Sequence, residues 1–295
     1  MSKNKSGQTA FGASMARLIE QYQPENTRLF NDSMVKHFLP VYIVVMMKFK
    51  YFRNLMVHMY DDKIKGIFGG FVCRTKYIDE KIKENINTIG CTIEQVLILG
   101  SGMDTRAYRI NELTDKKTFE IDLEHIQMFK KRKIKKCFGN IPENVVFIAI
   151  DFNKDDLYQT LLKSGFDFTK RTFLIWEGVT QYLEKEAVEK IFEFTSNLAS
   201  DSILVFTYIL ENVINRKSDI PGAKDWVNSF NKNGISLGFG INPGNIEETM
   251  EKYKLKVLED VGSDYYKKVY LEPVGRTLEV SEIERTAVVV NKTVI

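Results

Sequence analysis

Three cysteines in 295 residues, Cys73, Cys91 and Cys137, form no CxxC pair, and the three histidines make no HExxH or comparable cluster with them. A disulfide framework and a structural zinc are thereby excluded, and no metal site is expected. The six prolines are scattered from Pro24 to Pro273, with no Pro-, Gly- or Ser-rich linker and no internal repeat between them, which favours one elaborated domain. The longest apolar run, residues 41–47, is far shorter than the roughly 20 residues a membrane span needs. The first eight residues are polar and lack the apolar core of a secretory leader. Charge of either sign is also scarce in the balance: Lys+Arg 42 against Asp+Glu 39 leaves +3, too weak a field to favour nucleic acid or an anionic membrane. These features together lead us to expect a cytoplasmic chain in reducing surroundings, with no nucleic-acid and no membrane partner. Hydrophobic content of 44% and charged content of 27% exclude disorder and fibrous architecture.

The first ninety residues read as helix, since Phe11, Met15, Leu18, Ile19 and Tyr22 recur on one face and a second apolar segment spans 34–60. No strand is expected there. From Gln95 the pattern changes to short β-branched runs at 96–99, 118–121, 145–150, 172–176 and 203–208, separated by amphipathic stretches. Five strands at crossover spacing predict a doubly wound α/β sheet. Among the crossovers, residues 155–163 carry Leu157, Leu161 and Leu162 on one face before Gly165 as a C′ residue. Ala187, Val188, Ile191, Phe192, Thr195 and Leu198 mark another helix. Residues 255–258 and 286–290 are candidate edge strands, and the polar stretch 209–245 is expected to cover the strand ends. The chain is thus divided into a helical cap, 1–90, belonging to the same domain, and a core, 91–295, with an insertion at about 209–245.

Ligands of open α/β sheets bind where strands run into helices, and Leu99-Gly100-Ser101-Gly102-Met103-Asp104 is such a turn. Gly100 and Gly102 let the backbone turn sharply and approach a ligand closely, or simply supply a tight turn. Asp122, 20 residues after Gly102 at the end of the second strand, is placed to accept both hydroxyls of an adenosine ribose, or to cap the helix that follows. Asp151 ends the third strand on the same edge, where it accepts a bond from an adenine amino group or caps a helix beginning near Asn153. Glu177 closes the fourth strand before Gly178 and faces the cleft, with a cation as its partner, unless it is merely solvated. A nucleophile elbow would need glycine where Leu99 stands, and no GxxxxGK[ST] phosphate loop exists. The run 130–136, six of seven residues cationic, reads as a solvated helix face rather than a nucleic-acid site. His125 is either a general base near the cleft or a surface histidine.

Taken together, these residues resemble the leucine carboxyl methyltransferase family of S-adenosylmethionine-dependent enzymes, including its small-molecule members. The likeness covers nearly the whole chain. It begins with Arg28-Leu29-Phe30-Asn31-Asp32 and Cys73-Arg74-Thr75-Lys76-Tyr77-Ile78-Asp79, and ends at Gly275-Arg276. It is sharpest in Gly100-Ser101-Gly102-Met103-Asp104-Thr105-Arg106-Ala107-Tyr108-Arg109, in Phe119-Glu120-Ile121-Asp122 and in Trp176-Glu177-Gly178-Val179-Thr180-Gln181-Tyr182-Leu183. Many class I methyltransferases carry an acid two before the first glycine and a third glycine, where this chain has Ile98 and Asp104. The leucine carboxyl family shares that departure. Gln181 stands where relatives usually carry an apolar residue.

The resemblance implies a class I, Rossmann-like, mostly parallel seven-stranded sheet with helices on both faces, S-adenosyl-L-methionine as cofactor and S-adenosyl-L-homocysteine as product. It assigns Arg74 to the cofactor's carboxylate, Gly100 and Gly102 to its methionine portion, Asp104 to the same site, Asp122 to the ribose and Asp151 to the adenine. Glu177 would balance the cofactor's positive charge. Glu177, Tyr182 and Gln181 are the candidates for positioning the acceptor, with Arg109 helping to shape the site. Methyl transfer from a sulfonium needs alignment and exclusion of water more than a catalytic triad. A carboxylate acceptor is already ionised and needs no base, whereas a hydroxyl would call on His125 or another cleft residue. The expected activity is O-methylation of a small-molecule carboxylate. A protein C-terminal carboxylate, a nicotinamide-dependent oxidoreductase and a non-catalytic cofactor-binding protein are the alternatives.

Overall fold

The change of pattern near residue 95 is where the sheet begins. The computed structural model describes residues 6–86 and 92–291; Cys91 and the 90/91 boundary lie outside the described residues. Four helices come first, α1 Ser6–Glu20, α2 Val41–Met46, α3 Lys50–Asp61 and α4 Ile67–Ile86, and no strand occurs among the described residues before 95. There follow β1 Gln95–Leu99, α5 Arg106–Arg109, β2 Lys117–Asp122, α6 Glu124–Phe138, β3 Val145–Ala149, α7 Leu157–Lys163, β4 Thr172–Trp176, α8 Lys185–Ser196 and β5 Ile203–Ile209. Beyond β5 come α9 Glu211–Ile214, α10 Ala223–Lys232, α11 Ile246–Glu251, β6 Leu255–Val261, α12 Ser263–Tyr266 and β7 Glu284–Asn291.

The seven strands form one sheet in the order β3-β2-β1-β4-β5-β7-β6. The first five pair in parallel, whereas β7 runs antiparallel to both of its neighbours. Alternate residues of each strand feed two separate cores, as a pleated strand requires. Val96, Ile98, Phe173, Ile175, Val205 and Val288 join α1 and α4 on one face. Leu97, Leu99, Leu174, Trp176, Phe206 and Val289 join α7, α8 and α11 on the other.

Residues 286–290, expected at an edge, lie inside the sheet, paired with β5 from Ile203↔Val290 to Ile209↔Glu284. The reason is burial on both faces: Ala287, Val288, Val289 and Val290 are all inaccessible, the mark of an internal strand. The edge position belongs to β6. The helix expected from 155 starts at Leu157, because Asp156 accepts the Gln159 N–H and acts as its N-cap. Gly165 follows it with φ of +76°, as a C′ glycine does. The stretch after β5 is held by the pairing of Leu210 with Ile241 and by a small apolar cluster of Ile209, Val213, Trp226, Val227 and Ile283 with Ile64 from the α3–α4 turn. No helix among the described residues is long and apolar enough to cross a membrane.

Candidate active site

Beyond β1 the chain turns through Gly100 and Gly102, with φ of +68° and +39°. A β-carbon at Gly100 would stand 2.4 Å from Val179 Cγ2, so this position excludes any side chain on contact as well as on conformation. The turn is tied down from below. Ser101 N–H donates to the Ile121 carbonyl at 2.7 Å, and Lys130 Nζ donates to the Ser101 carbonyl at 3.2 Å. Lys130 also lies 2.8 Å from the Glu120 carboxylate, both side chains being fully inaccessible. Lys130 therefore departs from the solvated face expected for the 130–136 run. Burial pushes the Glu120 carboxyl up to about 7 against the pull of Lys130.

Asp122 reaches back to this turn, its Oδ2 accepting the Gly102 N–H and its Oδ1 the Leu123 N–H, each at 2.7 Å. It does not cap α6, whose N-cap is Leu123 with no side-chain cap bond. Burial raises the Asp122 pKa while the two N–H groups oppose the rise. Asp151 accepts the Asn153 N–H at 3.2 Å and pairs with Lys154 at 3.1 Å. The helix it was expected to cap begins six residues later.

The remaining charges form an alternating chain. Arg74, on α4, donates from Nε to Glu177 at 2.7 Å and from Nη1 to both oxygens of Glu284 at 2.8 and 2.6 Å. The other oxygen of Glu177 accepts from Arg106 Nη1 at 2.6 Å, and Arg106 also binds Asp104 at 2.5 Å and Asp79 at 2.8 Å. Arg109 makes two bonds to Asp79, at 2.6 and 2.8 Å, and lies 3.8 Å from Asp32, which pairs with Arg17 at 2.8 Å. Four guanidiniums thus meet five carboxylates, leaving one excess negative charge. Burial alone would raise the Glu177 carboxyl, but Arg106 and Arg74 hold it down to about 2. Asp104 is likewise held well below the ordinary carboxylate range by Arg106 and Lys130 against its burial.

These groups bound a cavity of about 630 Å³, within the size range of small-molecule sites. Arg74, Gly100, Gly102, Asp104, Asp122, Asp151, Glu177, Gln181, Tyr182 and His125 all line it. Arg109 does not; it stands one step behind, orienting Asp79. On the β5 side the wall is Tyr60, Ile67, Phe71, Trp226, Phe230 and Ile235, with the Tyr182 ring 5.9 Å from that of Phe230. Glu284 and Arg106 escaped the sequence reading as site residues although both line the cavity. For Arg106 the available signal was its place in the turn-to-helix segment; Glu284 had none, since its partner Arg74 lies 210 positions away. Among the described residues no group of three His, Cys, Asp or Glu side chains is arranged to hold a metal.

A sheet of this order with an antiparallel seventh strand, and a glycine turn answered by an acid at the end of β2, defines the class I methyltransferase architecture. A crystallised protein of Thermobifida fusca described as a methyltransferase shares the fold with a TM-score of 0.56 at 17% identity, covering 83% of this chain and 90% of that one. The chain belongs to the leucine carboxyl methyltransferase family, whose model matches residues 10–196. It is 30% identical over 187 residues to YktD of Bacillus subtilis, covering 63% of this chain and 60% of that protein. A Mycobacterium avium relative is 26% identical over 175 residues, 59% and 56% of the two chains. SCO6443 of Streptomyces coelicolor is 28% identical over 225 residues, 73% and 70%. All three are named as S-adenosyl-L-methionine-dependent methyltransferases. The first two matches span less than two thirds of those relatives' own length.

Proposed function

We propose that this chain is an S-adenosyl-L-methionine-dependent O-methyltransferase acting on a carboxylate of a small metabolite. The observation that carries the reading is the convergence of a glycine turn, a strand-end carboxylate and a guanidinium network on one cavity. The donor set fits the cofactor: Gly100 and Gly102 leave room at the turn, Asp122 offers acceptors for two hydroxyls, and Arg74 keeps its Nη2 beside Gly178, where a β-carbon would stand 3.6 Å away. Asp151 lines the same cavity, and we assign it to the adenine. The excess carboxylate of the Arg74–Glu177–Arg106 chain favours a cationic group nearby.

When bound, the cofactor supplies a methyl group on a sulfonium, a leaving group that needs no proton. The protein's own work is then alignment and exclusion of water. Glu177 fixes both Arg74 and Arg106, and through them Asp104 and Glu284. Gln181 and Tyr182 line the same cavity, and we assign them to orienting the acceptor. A carboxylate acceptor is ionised near neutral pH and asks no base of these residues.

Calorimetric titration with S-adenosylmethionine, S-adenosylhomocysteine and NAD in parallel tests the cofactor; micromolar binding of the first two without NAD is expected. NAD binding alone would make the chain an oxidoreductase, and binding of none would make it non-catalytic; either result overturns the proposal. Transfer of a methyl-³H label in a lysate tests the acceptor. Base-labile label on small molecules is expected, base-stable label points to a hydroxyl, and label on precipitable protein points to a protein C-terminus.

A further inference from the structure

Helix α2 consists of six consecutive apolar residues, and none of them is buried. Helix α3 is apolar on two sides. Phe52, Met56, Val57 and Tyr60 pack onto the core beneath it, whereas Tyr51, Leu55 and Met59 recur at intervals of four on the outside, 72%, 44% and 50% exposed. Counting Val41, Tyr42, Val45 and Phe49, seven of the thirteen large apolar side chains exposed among the described residues fall between positions 41 and 59. A helix with two apolar sides needs two apolar neighbours, and the fold supplies one.

Charge narrows the choice of the second neighbour. Residues 33–60 contain no Asp or Glu but carry Lys36, Lys48, Lys50 and Arg53, and the three lysines are exposed; the acids Asp61 and Asp62 come only at the far end of α3. His37 has its proton affinity lowered by burial and by Lys36, Lys133 and Lys136, so the cationic rim continues onto α6. A second copy of this chain fits poorly, because a twofold contact would set the same lysines against each other. An anionic bilayer accepts both parts at once: the apolar side chains enter the acyl boundary, while the lysine stems follow and their ammoniums meet lipid phosphates. The small net charge of the whole chain averages this segment with acidic ones elsewhere and hides it.

We propose that the α2–α3 face docks reversibly on the surface of a membrane containing anionic lipid. Helix α3 runs directly into Tyr60 and Lys63, two residues of the cavity wall, so the docked face adjoins the site. The test is co-sedimentation of the full chain with phosphatidylcholine vesicles and with phosphatidylcholine mixed with phosphatidylglycerol, at low and high salt. The expected result is binding to the mixed vesicles that falls at least about tenfold on neutral vesicles, at high salt, and in each of two double variants. The variants are Tyr42→Asp with Phe49→Asp, and Lys48→Glu with Lys50→Glu; as surface changes, both should keep the wild-type melting temperature. No sedimentation with the mixed vesicles overturns the proposal, as does sedimentation that both variants retain. A dimer in light scattering that the first variant breaks, without vesicle binding, assigns the face to a second copy and overturns it equally.

Discussion

Replacing Glu177 by glutamine keeps the shape of the side chain and removes its charge from between two guanidiniums, 2.7 Å from Arg74 and 2.6 Å from Arg106. The ordinary Glu value of 4.5 against about 2 in the folded chain corresponds to about 3 kcal/mol of stability at neutral pH. Neither guanidinium is orphaned by the change, since Arg74 keeps Glu284 and Arg106 keeps Asp104 and Asp79. The loss therefore stays near that figure rather than at the upper end for broken buried pairs. The sign follows from linkage: a carboxyl held down in the folded state stabilises fully above 4.5, and its contribution drains away as pH falls toward 2. At pH 4 about 1 kcal/mol of it is already gone, because the unfolded chain binds the proton first. Urea unfolding of wild type and Glu177→Gln at pH 7 and pH 4 measures both quantities. A gap below about 1 kcal/mol at pH 7, or one that does not narrow at pH 4, refutes the account of Glu177 as the charge that binds the two arginines together.

Asp122→Ala should weaken binding of S-adenosylhomocysteine by about 1 to 3 kcal/mol with the fold intact; unchanged affinity in calorimetry removes Asp122 from the site. Arg74→Lys should also bind more weakly, since an ammonium cannot serve Glu177, Glu284 and a ligand through one planar fork, and wild-type affinity would make Arg74 purely structural. Gly100→Ala meets Val179 at 2.4 Å and strains a φ of +68°. Adding Val179→Ala should recover the contact part of the lost melting temperature and leave about 1 kcal/mol of conformational cost; full recovery would show the φ to be immaterial. Lys130→Met removes the cation facing Glu120, whose carboxyl is already raised to about 7 and answers by keeping its proton, so the cost should be small at about pH 6. The variant's deficit against wild type should open only as pH climbs through about 7 toward 9 in denaturant melts, where wild type gains the ion pair and the variant must keep Glu120 protonated, and Glu120→Gln in the same chain should relieve it; a deficit flat across that window contradicts the pairing.

How much was legible depended on how far apart the partners lie. Gly100, Gly102 and Asp122 fall within one strand–turn–helix–strand unit, where spacing alone brings an acid to a turn. Asp151 and Glu177 were readable because parallel strands end on a common edge, so an acid just after each apolar run arrives at the same cavity. Glu284 defeats that rule. It begins an apolar strand instead of ending one, and only the reversed direction of β7, which no local pattern announces, brings it to Arg74. Lys130 was hidden by its neighbours: in a run of cations each looks alike until the strand beneath offers Glu120 to one of them. The unbroken Ala287-Val288-Val289-Val290 run did carry the sign of burial on both faces, a sign that outweighs proximity to the end of the sequence. The exposed apolar surface of α2 and α3 stayed concealed because periodicity reports which side of a helix faces a core, not whether the other side is also apolar.

The place of β7 also has a bearing on the order in which the molecule is completed during synthesis. Arg74 leaves the ribosome 210 residues before Glu284, which at ordinary elongation rates is a delay of about 10 to 40 s. Late in that interval, once β5 and β6 have been made, the β5 edge has no neighbour, β6 has no strand to pair with, and Arg74 has Glu177 alone of its two acids. Sheet closure and completion of the guanidinium network are then a single event, triggered by the same eight residues, Glu284–Asn291. A nascent chain stalled between β5 and these residues has its five parallel strands but an open sheet edge and an unfinished site.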